Sequence, residues 1–302
     1  MDGCRLTGDR EGISKVPAVR LDFGGEDQDT CDVVREETLT IAVEAVGSYT
    51  LMWTPTCHRA EAMGYTDADG LLGEGELSEA MALAVGFLFT EGLIGGLDDL
   101  NSIAFCPDIP SVVRVVLTDP GAVTVRRRDV VVNSSCGVCG EGEWFESLSD
   151  SLPDVGDGLM VTTDNLHHLM DRMRRRQVVF EATGGTHAAA AFDAAGQILA
   201  FAEDLGRHNA LDKVIGQCLF AGIDTAALGV LLSSRLSLEM VSKAVRAKFQ
   251  VVAAVSAPTS LAIELAQRKR QTLAAFVRQP KCNVYANGHR IVSAPRPEML
   301  KN

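Results

Sequence analysis

The chain has 302 residues and a formal net charge of −12, with 46% hydrophobic and 23% charged residues. This composition is typical of a globular protein with a sizeable core. The excess of carboxylates argues against nucleic acid as a main partner, because binding a phosphate backbone needs surplus Lys and Arg. The longest apolar run, residues 80–89, is too short to span a bilayer and predicts a core helix, so no membrane partner is expected.

The N-terminal residues do not resemble an export signal. The chain begins Met-Asp-Gly-Cys-Arg, without a basic region that leads into an apolar stretch. Eight cysteines in a long chain of this kind are expected to be reduced thiols, so the sequence predicts a cytoplasmic protein.

The first half of the chain predicts a strand-rich domain. Residues 1–30 are polar and rich in glycine, which predicts a mobile tail. An N-terminal α+β domain is expected over 31–133, because Leu39, Ile41 and Val43 alternate with polar neighbours as in a strand. A helix is predicted over 77–93, and a hairpin is predicted from segments 112–117 and 122–127. Residues 134–176 are expected to form a cysteine loop and a linker helix.

The second half predicts strands that alternate with helices. Strands are expected over 178–192, 197–203, 227–233, 250–256 and 272–278, with helices over 208–220, 237–248 and 259–269. This order implies a sheet with crossover helices on its faces. The predicted fold class is therefore mixed α/β, with a three-layer C-terminal domain over 177–302 and a smaller strand-rich N-terminal domain.

Cys136 and Cys139 lie three positions apart in a segment that also holds Gly137, Gly140 and Gly142. Two such thiols can form a redox pair, supply half of a zinc site, present one reactive thiolate, or be incidental. No second closely spaced pair has zinc-knuckle spacing, so neither zinc nor another bound metal is expected. The glycines after Cys139 also fit a thioredoxin-like helix start poorly.

Polar residues gather at several predicted turns of the second half. The candidates for ligand binding are Thr183, Gly184, Gly185, His187, Asp204, Arg207, His208, Asn209, Lys213, Ser234, Arg235, Ser256 and Thr259. Ligands bind at the carboxyl ends of strands in open α/β sheets, and helix N-termini attract anions. Helix capping and surface salt bridges are the alternative explanation. No Walker-type or G-x-G-x-x-G loop is present, so the residues predict a pocket for a large phosphorylated ligand near a reactive thiol.

The chain closely resembles the family of formate dehydrogenase accessory sulfurtransferases. The resemblance runs through segments 39–41, 83–92, 134–140, 183–189, 203–213, 234–239, 256–266 and 272–278. It implies that Cys136 forms the persulfide and that Cys139 is an auxiliary thiol. It also implies a cofactor-binding stretch near the C-terminus, made of Phe276, Val277, Arg278, Gln279, Pro280 and Lys281.

The resemblance further implies partners and a fold. A cysteine desulfurase would supply sulfur, which would pass to the molybdenum (or tungsten) bis-guanine-dinucleotide cofactor of a formate dehydrogenase. A cytidine-deaminase-like core and a homodimer are implied as well. Deamination itself is not expected, because His208 has no partner thiols and no glutamate two residues later. The chain departs from the family pattern in a longer 60–76 segment and in the absence of a glycine before Thr272.

Two other functions stay open at this level. A chaperone could bind the cofactor and the target enzyme without transferring sulfur. A dithiol oxidoreductase would depend on both Cys136 and Cys139.

Overall fold

The computed structural model describes residues 11–56, 65–66, 78–122 and 141–293. These residues form two compact units. The first takes its described residues from 11–122, 177–189 and 202–223, and the second takes them from 141–176, 190–201 and 224–293. The sequence predicted that the C-terminal domain begins at residue 177. The structure instead groups 177–189 and 202–223 with the N-terminal residues.

The first unit contains two complete sheets and three α-helices among its described residues. Its strands are β1 (Ile13–Asp22), β2 (Gly25–Val34), β3 (Glu37–Val43), β4 (Gly47–Trp53), β5 (Tyr65–Thr66), β6 (Leu100–Cys106) and β7 (Ile109–Leu117). Its helices are α1 (Glu79–Thr90), α4 (Val178–Thr183) and α5 (Arg207–Phe220). Strands β1 and β2 pair as a hairpin, and the larger sheet has the order β4-β3-β7-β6-β5.

The core of the first unit lies between the five-stranded sheet and α1. Leu39, Ile41 and Val43 are buried, as their alternation along β3 predicted. They pack in one cluster with α1, whose side chains are apolar on nearly every side. The predicted core helix is thus confirmed. Strand β7 pairs with β6 and β3, while residues 123–127 of the predicted hairpin lie outside the described residues.

Two glycines allow α1 and α5 to pack closely. A Cβ atom at Gly86 would lie 1.8 Å from the carbonyl oxygen of Asp212, and one at Gly216 would lie 1.9 Å from that of Ala82. Real Cβ atoms do not approach backbone oxygens so closely, because interiors are already close-packed. The crossing of the two helices therefore requires glycine at both positions.

Two predictions about local structure are wrong. Residues 13–22 and 25–34 form the β1–β2 hairpin, although the sequence predicted a mobile tail over 1–30. Residues 178–183 form helix α4, where the β-branched run predicted the first part of a strand. Gly184, with φ of +67°, ends this helix, and the strand β9 begins only at His187.

The second unit is built on parallel strands with crossover helices. Its elements are α2 (Glu141–Asp150), β8 (Val161–Thr162), α3 (Thr163–Arg176), β11 (Gly229–Leu232), α6 (Leu238–Arg246), β12 (Val251–Ala254), α7 (Ser260–Arg268), β13 (Thr272–Arg278), β14 (Lys281–Ala286) and β15 (Ile291–Val292). Strands β9 (His187–Phe192) and β10 (Ile198–Asp204), of which residues 190–192 and 198–201 belong to this unit, complete a six-stranded sheet of order β10-β9-β11-β12-β13-β14. Strands β11, β12 and β13 are parallel, whereas β14 pairs antiparallel with β13.

The alternation of strands and helices after residue 205 is as the sequence predicted, and the mixed α/β class is confirmed. The cytidine-deaminase-like layering stays a prediction. Over the part of the chain that the structure describes, no helix is both long and apolar enough to cross a membrane.

Candidate functional site

The carboxyl ends of β11, β12 and β13 lie at one edge of the second unit, and their three following loops are tied together. The amide of Leu236 donates to the carbonyl of Ala257 at 3.0 Å, and the amide of Thr259 donates back to Leu236 at 2.9 Å. The Arg278 Nε atom donates to the carbonyl of Val255 at 3.0 Å. This edge, residues 233–237, 255–259 and 276–280, is called the loop edge below. It holds Ser234, Arg235, Ser256, Thr259 and the stretch from Phe276, whose role in ligand binding stays a prediction.

At both helices that start at the loop edge, the side chain of the N-cap residue makes no capping hydrogen bond. Ser237 and Thr259 occupy the N-cap positions of α6 and α7, but neither side chain accepts a capping hydrogen bond. The buried hydroxyl of Ser237 has no partner among the described residues. The hydroxyl of Ser234 donates to the carbonyl of Arg235, whose own side chain is exposed. Uncapped helix N-termini with a nearby guanidinium suit an anion such as a phosphate.

The end of β13 has an unusual backbone. Phe276 has φ of +52° although it is not glycine, and the residue is 39% exposed. The β13–β14 register shifts between Ala275 and Arg278, which marks a bulge. A left-handed conformation costs a bulky residue about 1–3 kcal/mol and is concentrated at functional sites. The bulge presents Phe276 outward at the loop edge, a feature that no sequence pattern indicated.

The predicted candidates in 183–187 belong to the first unit, where local contacts explain most of them. The hydroxyl of Thr183 donates to the carbonyl of Val179 at 2.8 Å and accepts from the amide of Gly185 at 3.1 Å. A Cβ at Gly185 would lie 2.9 Å from Val34 Cγ1, so this glycine serves packing. His187 is half-buried at the start of β9.

Glu203 organises this segment, and the sequence did not single it out as a site residue. Its buried carboxylate accepts the amides of Val179 at 3.1 Å and Phe180 at 3.0 Å, and the hydroxyl of Thr186 at 2.9 Å. Burial raises the pKa of Glu203 above its ordinary value, while these hydrogen bonds act in the opposite direction. The carboxylate thus caps α4 from a distant part of the chain.

The predicted candidates Asp204, Asn209 and Lys213 form a buried cluster with Glu79. The Nζ atom of Lys213 lies 2.8 Å from Asp204 Oδ2 and 2.9 Å from Glu79 Oε1. It also donates to the carbonyls of Thr54 and Glu203 at 2.8 Å and 3.0 Å. Lys213 and Asp204 have no exposed surface.

The remaining hydrogen-bonding atoms of this cluster are also occupied. Asp204 accepts the amides of Thr54 and Gly206, and it accepts the Asn209 side chain at 2.9 Å. Asn209 donates as well to the carbonyl of Met52 at 2.7 Å. These interactions give the cluster a structural explanation. Arg207 and His208 from the same turn are half-buried.

Cys136 and Cys139 lie outside the described residues. Helix α2 begins five positions after Cys136, and its attachment is described. The Arg268 guanidinium pairs with Glu146 and stacks over the Phe145 ring, 4.9 Å from its centroid. Lys269 Nζ donates to the carbonyl of Leu152 at 2.8 Å. Phe145, Glu146 and Leu152 are therefore held against the end of α7.

The described cysteines are poor candidates for a reactive thiol. Cys106 and Cys218 are buried, and burial raises the pKa of Cys218 to about 12. Burial also raises the pKa of Cys282, whereas Cys31 is half-buried in β2. In the parts of the chain that the structure describes, no group of three or more His, Cys, Asp or Glu residues could hold a metal ion.

Comparisons with known proteins agree with this architecture. A solved structure from Desulfotalea psychrophila, assigned as a candidate formate dehydrogenase accessory protein, matches with a TM-score of 0.69 at 20% identity. The match covers 93% of this chain and 99% of that one. At this identity the likeness shows the fold.

Other relatives have a higher sequence identity to this chain than that solved structure has. The sulfur carrier protein FdhD of Streptomyces avermitilis is 40% identical over 222 residues, which cover 70% of this chain and 79% of the relative. The protein of the same name from Bordetella bronchiseptica is 38% identical over 213 residues, with 70% and 77% covered. That of Sulfurisphaera tokodaii is 37% identical over 211 residues, with 70% and 79% covered. The FdhD/NarQ family profile matches residues 76–292, more than two thirds of the chain. The chain therefore belongs to the FdhD/NarQ family.

Proposed function

We propose that the chain is a sulfur carrier that accepts sulfur from a cysteine desulfurase and delivers it to the cofactor of a formate dehydrogenase. The observation that carries the proposal is the name of its relatives, sulfur carrier protein FdhD, at 37–40% identity. The segment with Cys136 and Cys139 lies within the family match at 76–292. Cys136 is the proposed persulfide carrier, and Cys139 is the auxiliary thiol.

The chemistry of the other thiols supports Cys136. A thiolate is the attacking species, and the raised pKa of Cys218 keeps that buried thiol protonated near neutral pH. Cys106 is 3% exposed, so a donor protein cannot reach it. A segment rich in glycine is better suited to reach a donor and an acceptor in turn.

The first step is thiol exchange. The Cys136 thiolate attacks the terminal sulfur of a donor persulfide, so that a new S–S bond forms while the donor's S–S bond breaks. The donor leaves as a thiolate, and Cys136 keeps the terminal sulfur. No external oxidant or reductant is needed.

The second step releases the sulfur. The Cys139 thiolate attacks the inner sulfur of the Cys136 persulfide, which forms a Cys136–Cys139 disulfide and expels hydrosulfide. The two electrons that convert sulfane sulfur to hydrosulfide thus come from the two thiols. Hydrosulfide then binds the metal of the acceptor. A reductant of the thiol class returns the pair to its starting state.

The acceptor is the molybdenum or tungsten bis-guanine-dinucleotide cofactor, as a bound substrate. The loop edge suits such a ligand, because two uncapped helix starts and Arg235 favour phosphates. The exposed ring of Phe276 is available to stack on a guanine base. The resemblance also predicts a homodimer and a cytoplasmic location, which sedimentation and cell fractionation would test.

Complementation of a strain that lacks the chain tests the carrier function. Cys136→Ala is expected to abolish formate dehydrogenase activity, while Cys282→Ala is the matched control and is expected to retain it. Cys139→Ala is expected to accept sulfur but to lower delivery. Full activity of Cys136→Ala would instead favour a cofactor-binding chaperone. Reduction of a model disulfide that depends on both thiols would favour an oxidoreductase.

Binding of guanosine diphosphate tests the loop edge separately. Arg235→Ser is expected to weaken binding about tenfold, because it removes a cation beside the phosphates. Arg114→Ser, at an exposed position on β7, is the matched control. Equal affinities for the two variants would rule out the loop edge as the phosphate site.

A further inference from the structure

Residues 13–34, called the arm below, form a long two-stranded ribbon whose base packs against the first unit. Strands β1 and β2 have ten residues each, so the arm extends about 30 Å. At the base, Ile13 is buried, and the amide of Arg35 donates to the carbonyl of Gly12 at 2.8 Å. Every residue from 19 to 28 is exposed. In the part of the chain that the structure describes, both faces of this outer half are therefore open to solvent.

The tip of the arm carries apolar side chains. Leu21 is 74% exposed, and Phe23 is fully exposed in the turn. Val19 is exposed on the same face as Leu21, because alternate residues of a strand share a face. A two-stranded hairpin that nothing covers is only marginally stable in water, and aromatic side chains are enriched in the buried centres of protein interfaces. The arm thus has the properties of a segment that a partner covers.

Carboxylates surround this apolar tip. The arm holds more acidic than basic residues: Asp22, Glu26, Asp27, Asp29 and Asp32 against Lys15 and Arg20. Arg20 is already paired with Asp29. Glu26 and Asp27 are exposed and have no ion pair among the described residues. A surface that covers the tip must therefore supply cations for these carboxylates.

We propose that the tip of the arm docks the sulfur donor, and that the complementary surface of the donor is an apolar pocket bordered by lysine or arginine. Leu21 and Phe23 would enter the pocket, and Glu26 and Asp27 would pair with its cations. The inference rests on the proposed function, since a sulfur carrier must bind its donor. The arm lies outside residues 76–292, which match the family profile, so the shared carrier chemistry does not account for it.

Charge and contact size favour the donor over other occupants. A second copy of the chain, with its own net charge of −12, or a nucleic acid would face the carboxylates with like charge. The donor must leave once its sulfur has moved, and a small contact steered by charge suits such a short-lived complex. The loop edge, which is proposed for the acceptor, belongs to the second unit and shares no residue with the arm.

Binding of the full chain to a purified cysteine desulfurase tests the docking. Biolayer interferometry is expected to show an affinity that falls as the salt concentration rises. Leu21→Ser with Phe23→Ser is expected to weaken binding at least about tenfold, because it removes the side chains that would fill the pocket. Glu26→Lys with Asp27→Lys keeps those side chains and is expected to slow association and to reduce its dependence on salt.

The matched control changes another exposed hairpin tip of the same unit. Asp108 and Ile109 are exposed where β6 turns into β7 and offer the same pair of an acidic and an apolar side chain. Asp108→Lys with Ile109→Ser is expected to leave donor binding unchanged. Parent-like donor binding by both arm variants, an equal loss in the control, or no binding by the parent chain would each overturn the docking.

Sulfur uptake separates the docking from the carrier function. Over a series of donor concentrations, intact mass is expected to show that both arm variants reach the same final sulfur gain as the parent but need at least about tenfold more donor. A parent chain that binds the donor through the arm and gains no sulfur would support the docking and refute the carrier function. Arm variants that lose self-association in sedimentation but bind the donor normally would assign the arm to a second copy and overturn the docking.

Discussion

Replacement of Lys213 by methionine tests the buried cluster of the first unit most sharply. Methionine keeps the apolar stem and nearly fills the volume, so the change removes charge without opening a large cavity. Asp204 is fully buried beside the lost ammonium, although three donors continue to solvate it. Removal of one partner from a buried ion pair costs about 3–5 kcal/mol. Because these three donors remain, we expect the loss of unfolding free energy to lie at the lower end of this range, at about 3 kcal/mol.

Urea unfolding followed by tryptophan fluorescence measures this loss. Trp53 lies 4.9 Å from Lys213 Nζ, and the chain has only one other tryptophan, so a Trp144→Phe background reports the cluster directly. With an m-value of about 2–3 kcal/mol per M, the midpoint is expected to fall by about 1 M or more. Lys15→Met, at an exposed position, is the control and should leave the midpoint unchanged.

A double variant checks the physical reason. Adding Asp204→Asn to Lys213→Met removes the uncompensated carboxylate, so part of the lost stability is expected to return. A free energy of unfolding for Lys213→Met within about 0.5 kcal/mol of the parent value would refute the reasoning, because changes of that size are typical of surface positions.

Three further outcomes are expected. Gly86→Ala should destabilise the chain by about 1–3 kcal/mol or prevent folding, because its methyl group would overlap a backbone carbonyl, whereas Gly96→Ala should be neutral in the same urea titration. The raised pKa of Glu203 means that the folded state holds its proton more tightly than the unfolded chain. The stability that Glu203 contributes is therefore present below pH 4.5 and is lost as the pH rises through the pKa of the folded state. Glu203→Gln should flatten the dependence of the unfolding free energy on pH, and parallel pH profiles of variant and parent would disprove this reasoning. Iodoacetamide at neutral pH should leave Cys106 and Cys218 unmodified until urea unfolds the chain, and peptide mapping would reveal native-state labelling if the burial were wrong.

The second half of the fold could be predicted because its signals are local. Strand β13 coincides with the predicted 272–278, and α5 begins one residue before the predicted helix. Continuous apolar runs between helical patterns indicate buried parallel strands, and β11 and β12 are buried along their whole length. The position of the loop edge followed from the alternation of strands and helices, because parallel strands bring their carboxyl ends together.

The two errors have different causes. Helix α4 carries two valines that favour a strand, but the Glu203 carboxylate caps its first amides from another part of the chain. The β1–β2 hairpin has few buried residues, so its composition resembled that of a tail. Neither the Glu203 cap of α4 nor the pairing of β1 with β2 leaves a pattern in its own segment.

The polar turn at residues 203–213 shows how a site prediction can overstate function. Its charged residues were taken as ligands, yet Lys213 lies on α5 between Asp212 and Val214 and is buried with them. A lysine that follows Ala210 and Leu211 and precedes Val214 and Ile215 has apolar neighbours on several sides of the helix. That pattern could have indicated an internal ion pair.

The central claim is that Cys136 carries sulfur. The most direct measurement is the intact mass of the purified chain after incubation with a cysteine desulfurase and cysteine. We expect a gain of one sulfur atom that a reductant removes, that is absent in Cys136→Ala, and that persists in Cys282→Ala. An unchanged mass with an active donor, or an equal gain in Cys136→Ala, would contradict the claim.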